Sequence, residues 1–357
     1  MKLLWFNLRT DIRRQGLAFA IDWLNTFAEH VEQIDVITMH AGDYQRRDNV
    51  RVYSVGKEKG YNELRRFVEF YRILFSLLIH NKYDACFAHM MPLFAAMAAP
   101  FLRAHKIPLV LWYTHKSITL ILRLATLFAN RVITASKESF RIPTQKVRII
   151  GHGIDTDKFT PAEKVKTSNG QFTVLTVTRL SPIKRVDLLI KAVALLRLQR
   201  PELSFCLKIV GGPLTDRDHL YVAELEKQVK QYQLRDSIVF TGSIPFQEIV
   251  PHYQQADCFI NMSETGSIDK TVLEAMSCGI AVIVNPVFIR VLDREFARKW
   301  VINWDAQKIS DRLQLLATMS ASERQRLGIK LRAIVVRDHR LNDLCRNILR
   351  EIEIIIK

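Results

Sequence analysis

The chain has 357 residues, 48% of them apolar and 25% charged, with 13 glycines and 11 prolines. That balance suits two ordinary globular cores and excludes collagen-like, low-complexity and disordered chains. Lys and Arg number 52 against 36 Asp and Glu, a net charge of +16, and so large a surplus calls for an acidic partner: phosphate, nucleic acid or an anionic membrane.

Along the chain, apolar runs of strand length alternate with longer stretches of helical period. Strands are expected at 3–6, 35–39, 50–55, 85–88, 108–113, 131–135 and 147–150. A second series is expected at 172–178, 204–210, 237–241, 258–261, 281–284 and 300–302. Runs such as I-P-L-V-L-W-Y and I-A-V-I-V are apolar throughout, as in strands covered on both faces. The alternation predicts parallel sheets wrapped by helices.

Between the two series, residues 155–171 are polar, hold no apolar period and contain Asn-Gly, which marks an interdomain connection. The expected fold class is therefore α/β, with two doubly wound Rossmann-like domains facing across a cleft, one over 1–160 and one over 171–340. Open sheets of this kind bind ligands at the carboxyl ends of their strands. A last helix over 341–357 carries Leu344, Ile348, Ile352 and Ile355 in one stripe. Its pattern suits packing on either domain, and a return to the first is the reading carried forward.

The charge-free stretch 85–102 holds Pro92, Pro100 and His89 and starts as a strand. It does not read as a bilayer-spanning helix, which needs about 20 apolar residues. Cys86, Cys206, Cys258, Cys278 and Cys345 form no C-x-x-C pair, and Arg9, Asp11, Arg13 and Arg14 interrupt any secretory apolar region near Met1. Buried thiols in a reducing, cytoplasmic setting are expected.

Two familiar phosphate motifs are missing: neither G-x-G-x-x-G nor G-x-x-x-x-G-K-[ST] occurs, which argues against nicotinamide redox and P-loop chemistry. Three other places carry chemistry. The strand at 172–178 runs into Arg179-Leu-Ser-Pro-Ile-Lys184-Arg185, and a guanidinium and an ammonium at a strand end suit a diphosphate. By itself the turn reads first as a solvated basic turn. Ile209-Val210-Gly211-Gly212-Pro213 is a strand and tight turn where glycines allow close backbone approach, a weak signal alone. After the strand at 258–261, a Gly/Ser loop enters a helix through Gly266, Ser267, Ile268, Asp269, Lys270 and Thr271. A helix mouth of this kind is a ready anion site. Glu274, among Val272, Leu273, Ala275 and Met276, needs polar partners. A ribose diol would supply them; an exposed glutamate on a capped surface helix is the plainer alternative.

Taken together, residues 151–285 resemble the retaining nucleotide-sugar glycosyltransferases of family 4, which have the GT-B fold. The resemblance rests on G-H-G-I-D, V-T-R-L-S-P-I-K-R-V-D-L-L-I-K-A, I-V-G-G-P, I-V-F-T-G-S-I-P, Y-Q-Q-A-D-C-F-I-N-M-S and L-E-A-M-S-C-G-I-A-V-I, in that order. It implies that Arg179 and Lys184 hold the diphosphate, that Glu274 accepts the ribose hydroxyls, and that the 266–271 loop meets the diphosphate or sugar. The turn from Gly242 to Ile244 would meet the base, and Gly211 and Gly212 would line the donor site. The family's first glutamate, eight positions before the second, is Gly266 here; Glu264 stands two residues earlier, and Asp269-Lys270 is a partial substitute. In the first half the resemblance is thinner. His115 in W-Y-T-H-K-S matches a histidine that faces the reacting sugar, and Gly16 matches the family's N-terminal loop near the diphosphate, without its usual glycine pair. His89 reads first as a structural residue.

The implied activity is transfer of a sugar from a nucleotide-diphosphate donor to an acceptor hydroxyl with retention, in cell-envelope glycan, lipid or polysaccharide synthesis. The implied acceptor is a sugar, glycolipid or lipid-linked molecule. No metal or cofactor is called for, because Arg179, Lys184 and the helix dipole can carry the neutralisation. Between 101 and 150 the cations Arg103, Lys106, Lys116, Arg123, Arg131, Lys137, Arg141, Lys146 and Arg148 face the single acid Glu138. With the apolar stripe of Leu64, Phe67, Val68, Tyr71, Leu74, Phe75 and Leu78, this suits peripheral contact with an anionic inner leaflet. A core-facing stripe is the plainer reading of those side chains. Two other functions stay open: a nucleotide-sugar binder without turnover, kept by Gly266, and a nucleic-acid binder, which lacks interleaved aromatics or a recognisable module.

Overall fold

The computed structural model describes residues 1–12, 19–45, 47–162 and 170–356. Gly16 and part of the expected connection, residues 163–169, lie outside them. The chain divides into two compact units, one of Met1–Gly153 with Leu341–Lys357 and one of Ile154–Arg340.

The first unit begins with β1 (Lys2–Asn7), α1 (Phe19–Ala28), β2 (Gln33–Thr38), β3 (Val50–Ser54), α2 (Glu63–His80), β4 (Ala85–His89) and α3 (Pro92–Ala104). It continues with β5 (Leu109–Trp112), α4 (Leu120–Phe128), β6 (Arg131–Thr134) and β7 (Val147–Ile149). All seven strands are parallel, in the order β3-β2-β1-β4-β5-β6-β7.

The period of two along each strand assigns the sheet its two cores. Leu4 and Phe6 of β1 join Cys86 and Ala88 of β4 under α2, α3 and α4. Leu3, Trp5, Ala85 and Phe87 face the other way, toward α1 and the last helix of the chain. Pro92 at the first turn of α3 and the Thr119 cap on α4, which accepts from the Leu122 N–H, set two of the helix starts.

The second unit contains β8 (Phe172–Val177), α5 (Val186–Gln199), β9 (Phe205–Val210), α6 (Asp216–Gln231), β10 (Ile238–Gly242), α7 (Ile249–Gln254) and β11 (Cys258–Asn261). There follow α8 (Lys270–Ser277), β12 (Ala281–Val284), α9 (Arg294–Trp300), α10 (Ala306–Thr318) and α11 (Ala321–Asp338). Its parallel sheet has the order β10-β9-β8-β11-β12. Val174, Leu207, Ile209, Cys258 and Ile260 face α5, α6 and α10, while Leu175, Val210, Phe259 and Val282 face α7, α8 and α11. Strands β8, β9, β11 and β12 are therefore apolar on both sides, while the edge strand β10 is largely exposed.

Two details depart from the sequence reading. Residues 300–302 are not a strand: Trp300 closes α9, and Val301 forms only an isolated bridge to Val284. Residues 155–162 are also not a free link. Phe159 is buried, and Arg332 donates to the Phe159 and Thr156 carbonyls at 2.8 and 3.0 Å, which fastens this stretch to the second unit.

The final helix, α12 (Leu341–Ile356), lies in the first unit. Leu344, Ile348 and Ile352 are buried beside Trp23 and Trp112, and Glu351 pairs with Arg131 at 3.1 Å. Among the described residues no helix is long and apolar enough to cross a membrane. All five cysteines are buried and unpaired with one another.

Candidate active site

In the second sheet the strand order reverses between β8 and β11, and the carboxyl ends of those two strands are where an open α/β sheet offers a ligand site. Beyond β8 the chain turns through a short 3-10 segment, Pro182–Lys184, and buried Leu180 anchors the turn with its N–H on the Gly212 carbonyl at 3.0 Å. Arg179 is 45% exposed; its Nε donates to Ser181 Oγ at 3.3 Å and lies 4.0 Å from an Asp218 oxygen. Asp218 also accepts from the Leu214 and Thr215 N–H groups at the start of α6. Burial raises its pKa, but those donors and the Arg179 charge outweigh burial and hold it below the usual value.

Beyond β11, Asn261 organises the opposite wall. Its amide donates to Asp269 Oδ2 at 3.0 Å, and its oxygen accepts from the Ser263 N–H at 3.2 Å and the Asn285 amide at 3.1 Å. Asp269 occupies the cap position of α8, yet its carboxylate does not cap the helix. Instead it receives Lys184 Nζ at 3.0 and 2.9 Å. The two loops are joined again by the Glu264 N–H, 2.8 Å from the Ile183 carbonyl, and by an Arg185–Glu264 ion pair. Arg185 adopts a left-handed φ of 54° at the head of α5 and also lies 3.5 Å from Asp187. The cations that the sequence picks out are thus partnered by acids of the same unit.

The other predicted residues fall around this pair of loops in different roles. Gly211 has φ 134°, and a Cβ there would meet the Thr178 carbonyl oxygen at 1.8 Å. The close approach that requires glycine is therefore between the ends of β8 and β9. Gly212 sits against Ser243 Oγ in the same way, at 2.7 Å. Gly242 ends β10 and accepts from the Gly211 N–H at 2.8 Å, while Ile244 packs against the core beneath α7 and α8. Gly266 has φ 74° with open space around its absent side chain. Ser267 bonds Thr265 Oγ1 at 3.4 Å, Ile268 packs on the same core, and Lys270 and Thr271 form the first turn of α8.

Glu274 is not the exposed glutamate of a surface helix. It is buried, and Oε2 accepts from the Tyr253 hydroxyl at 2.7 Å. Burial, reinforced by the Glu274 charge, drives the Tyr253 pKa far above the usual phenol value, so Tyr253 remains a donor. In the first unit, His115 lies exposed beyond β5, with Nδ1 accepting from the Ser117 N–H at 3.1 Å. His89 is buried among Trp5, Trp23 and Phe87.

Sequence reasoning passed over Asn261, Asn285 and Tyr253. The signal for the first two was a polar residue closing an apolar strand. It also counted no Asp-x-Asp triplet, wrongly: two stand in the sequence, at Asp155 and Asp157 and at Asp216 and Asp218. Asp155 accepts from the Asp157 and Lys158 N–H groups, and Asp218 serves the capping box of α6.

Two parallel-sheet α/β domains, of seven and five strands, make up a GT-B fold. Solved structures share it. HepE from Anabaena, crystallised with UDP and glucose, superposes with a TM-score of 0.76 over 99% of both chains at 17% identity. WaaG, a glycosyltransferase of lipopolysaccharide biosynthesis, gives 0.67 over 99% of both at 15% identity. Residues 157–332 match the family described as glycosyl transferases group 1, and this part of the chain is a glycosyltransferase group 1 domain.

Among curated relatives, a GDP-mannose-dependent phosphatidylinositol monomannoside mannosyltransferase of Mycolicibacterium smegmatis is 27% identical over 170 residues, 44% of this chain and 42% of the relative. An alpha-monoglucosyldiacylglycerol synthase of Streptococcus pneumoniae is 27% identical over 167 residues, 44% of this chain and 36% of the relative. The matched region thus spans less than half the length of either.

Proposed function

We infer that this protein transfers a sugar from a nucleotide-diphosphate donor to an acceptor hydroxyl with retention of anomeric configuration. The observation that carries the reading is the Lys184–Asp269 contact at the mouth of α8. An anion already sits there between an ammonium and a helix start, so the place is electrostatically fit for one. On binding, a diphosphate would take Lys184 from Asp269, with Arg179 swinging from Ser181 as the second cation. Charge developing on the departing diphosphate is then met by preoriented donors, with no metal required.

Glu274, held by Tyr253, is proposed to accept ribose hydroxyls, with Gly242 and Ile244 beside the base. Gly211 and Gly212 would shape the donor loop, and Ser267 to Thr271 would line the diphosphate. His115 is proposed to hydrogen-bond the transferred sugar. Two relatives carry phosphatidylinositol mannoside or diacylglycerol in their names, which supports a glycolipid or cell-envelope acceptor and peripheral residence on the inner face of a membrane. Incubation with a panel of nucleotide sugars, read by release of the nucleoside diphosphate and by the anomeric proton of the product, tests the reading. Inversion would refute the stereochemistry, and no release with any donor would refute turnover.

A second reading, binding without turnover, is favoured by one observation: Asp187, Asp218, Glu264 and Asp269 already offset Arg179, Lys184 and Arg185. Saturable donor binding with no donor hydrolysis or transfer would select it.

A further inference from the structure

The helix α4 is apolar on nearly all sides, yet it lies at the surface. Its inner arc, Leu122, Ala125 and Thr126, is buried against the first sheet's core. Its outer arc, Leu120, Ile121, Leu124, Leu127 and Phe128, is exposed, Leu120 by 73% and Leu127 by 67%. At 100° per residue these five share one face, and Arg123 is the one charge on the helix. Scattered exposed leucines need no explanation, but a contiguous patch along a whole helix marks a contact surface.

The patch leads into a groove of about 820 Å³ between the ends of α3, α4 and α12. Leu127, Phe128 and Ile356 line its apolar side, and exposed Arg103 and Lys106, with the acid Asp84, its charged side. Lys146, at its floor, is spent on the Leu127 carbonyl at 2.7 Å, where it caps α4. The segment 101–150 that holds this helix carries nine cations and the one acid Glu138.

We propose that the outer face of α4, with the groove at its end, docks the first unit onto an anionic phospholipid bilayer. The face lies in the interface, Leu120, Leu124 and Leu127 reach the acyl boundary, and Arg103 and Lys106 meet lipid phosphates. An apolar arc flanked by excess cations is the composition of an interfacial helix, and each cation adds attraction to an anionic leaflet. A second copy of this chain would bring the same cations against each other, which disfavours self-association. This assignment rests on the peripheral-membrane reading above and is narrower than it.

The test is flotation of the whole chain with vesicles of phosphatidylglycerol in phosphatidylcholine, and with phosphatidylcholine alone. Binding to the mixed vesicles is expected, falling by about tenfold or more in a Leu120→Gln/Leu124→Gln/Leu127→Gln variant and falling with salt in wild type. Arg103→Glu/Lys106→Glu, which leaves the helix intact, should also weaken binding to the mixed vesicles and provides a second readout if the glutamine variant misfolds. Wild type that ignores both vesicles overturns the peripheral reading altogether. Wild-type binding that a folded glutamine variant retains, or that the charge reversal does not weaken, overturns the α4 assignment alone. So does a wild-type dimer in gel filtration that the glutamine variant dissolves.

Discussion

Lys184 and Asp269, 85 residues apart in sequence, meet with Nζ 3.0 and 2.9 Å from the two carboxylate oxygens, both side chains only 15% exposed. The contact ties the turn after β8 to the cap residue of α8, and it makes Asp269 a competitor for whatever anion the turn binds. Lys184→Ala is therefore expected to weaken binding of a nucleoside diphosphate by about 10- to 100-fold, the worth of one charge-assisted hydrogen bond. Asp269→Asn should leave Lys184 available and strengthen that binding. Titration calorimetry with UDP and GDP checks both, and unchanged affinity in Lys184→Ala removes the diphosphate assignment.

Glu274 and Tyr253 form a second pair, the phenol fully buried and the carboxylate nearly so. Glu274→Ala leaves a buried phenol hydroxyl without its acceptor and should cost about 1–3 kcal/mol. Glu274→Gln keeps an acceptor oxygen and should fold nearly as well, while losing affinity for a ribose diol. Urea unfolding of both variants, set beside nucleotide binding, separates the two roles. If the glutamine variant binds donor as wild type does, Glu274 is structural only.

Two glycines with positive φ predict costs of different size. At Gly211 an added methyl would strike the Thr178 carbonyl, so Gly211→Ala should destabilise by roughly 2–4 kcal/mol. At Gly266 there is open space, so Gly266→Ala should cost only the backbone strain, about 1 kcal/mol. Thermal unfolding of the two variants side by side tests the contrast.

Asp218 links stability to pH. Its folded pKa lies below the ordinary value of 3.8, so its contribution is fully present above that value and is lost as pH falls through the lower, folded one. Asp218→Asn should be less stable than wild type at neutral pH, and the gap should close as the pH drops below about 4. Urea midpoints at several pH values measure the gap; a constant difference would contradict it.

The thiols offer a simple check of the cores. Burial pushes the Cys86 and Cys345 thiols well above their usual pKa, and raises Cys206, Cys258 and Cys278 as well. None of the five should react promptly with an aromatic disulfide in native buffer, and all should react in denaturant. Rapid native labelling of any one would show that its layer opens.

The strands of both sheets were legible in the sequence because their signal is local. Leu3 to Phe6, or Cys258 to Ile260, alternate between two cores with a period of two, and each run is apolar throughout. Short runs without that support misled: Trp300 to Ile302 reads as a strand, but its first residue ends α9, since three apolar residues fit either period. The basic turn at Arg179 to Arg185 and the loop into α8 were visible as motifs.

Only the tertiary structure decided which groups they meet. Asp269 reaches Lys184 because β8 and β11 are neighbours at the point where strand order reverses, and sheet order is not written in any local window. Glu274 turned inward to Tyr253 for the same kind of reason: α7 and α8 pack on one core. Likewise, both arcs of α4 are apolar in sequence, and only packing against the sheet distinguishes the buried one from the exposed one.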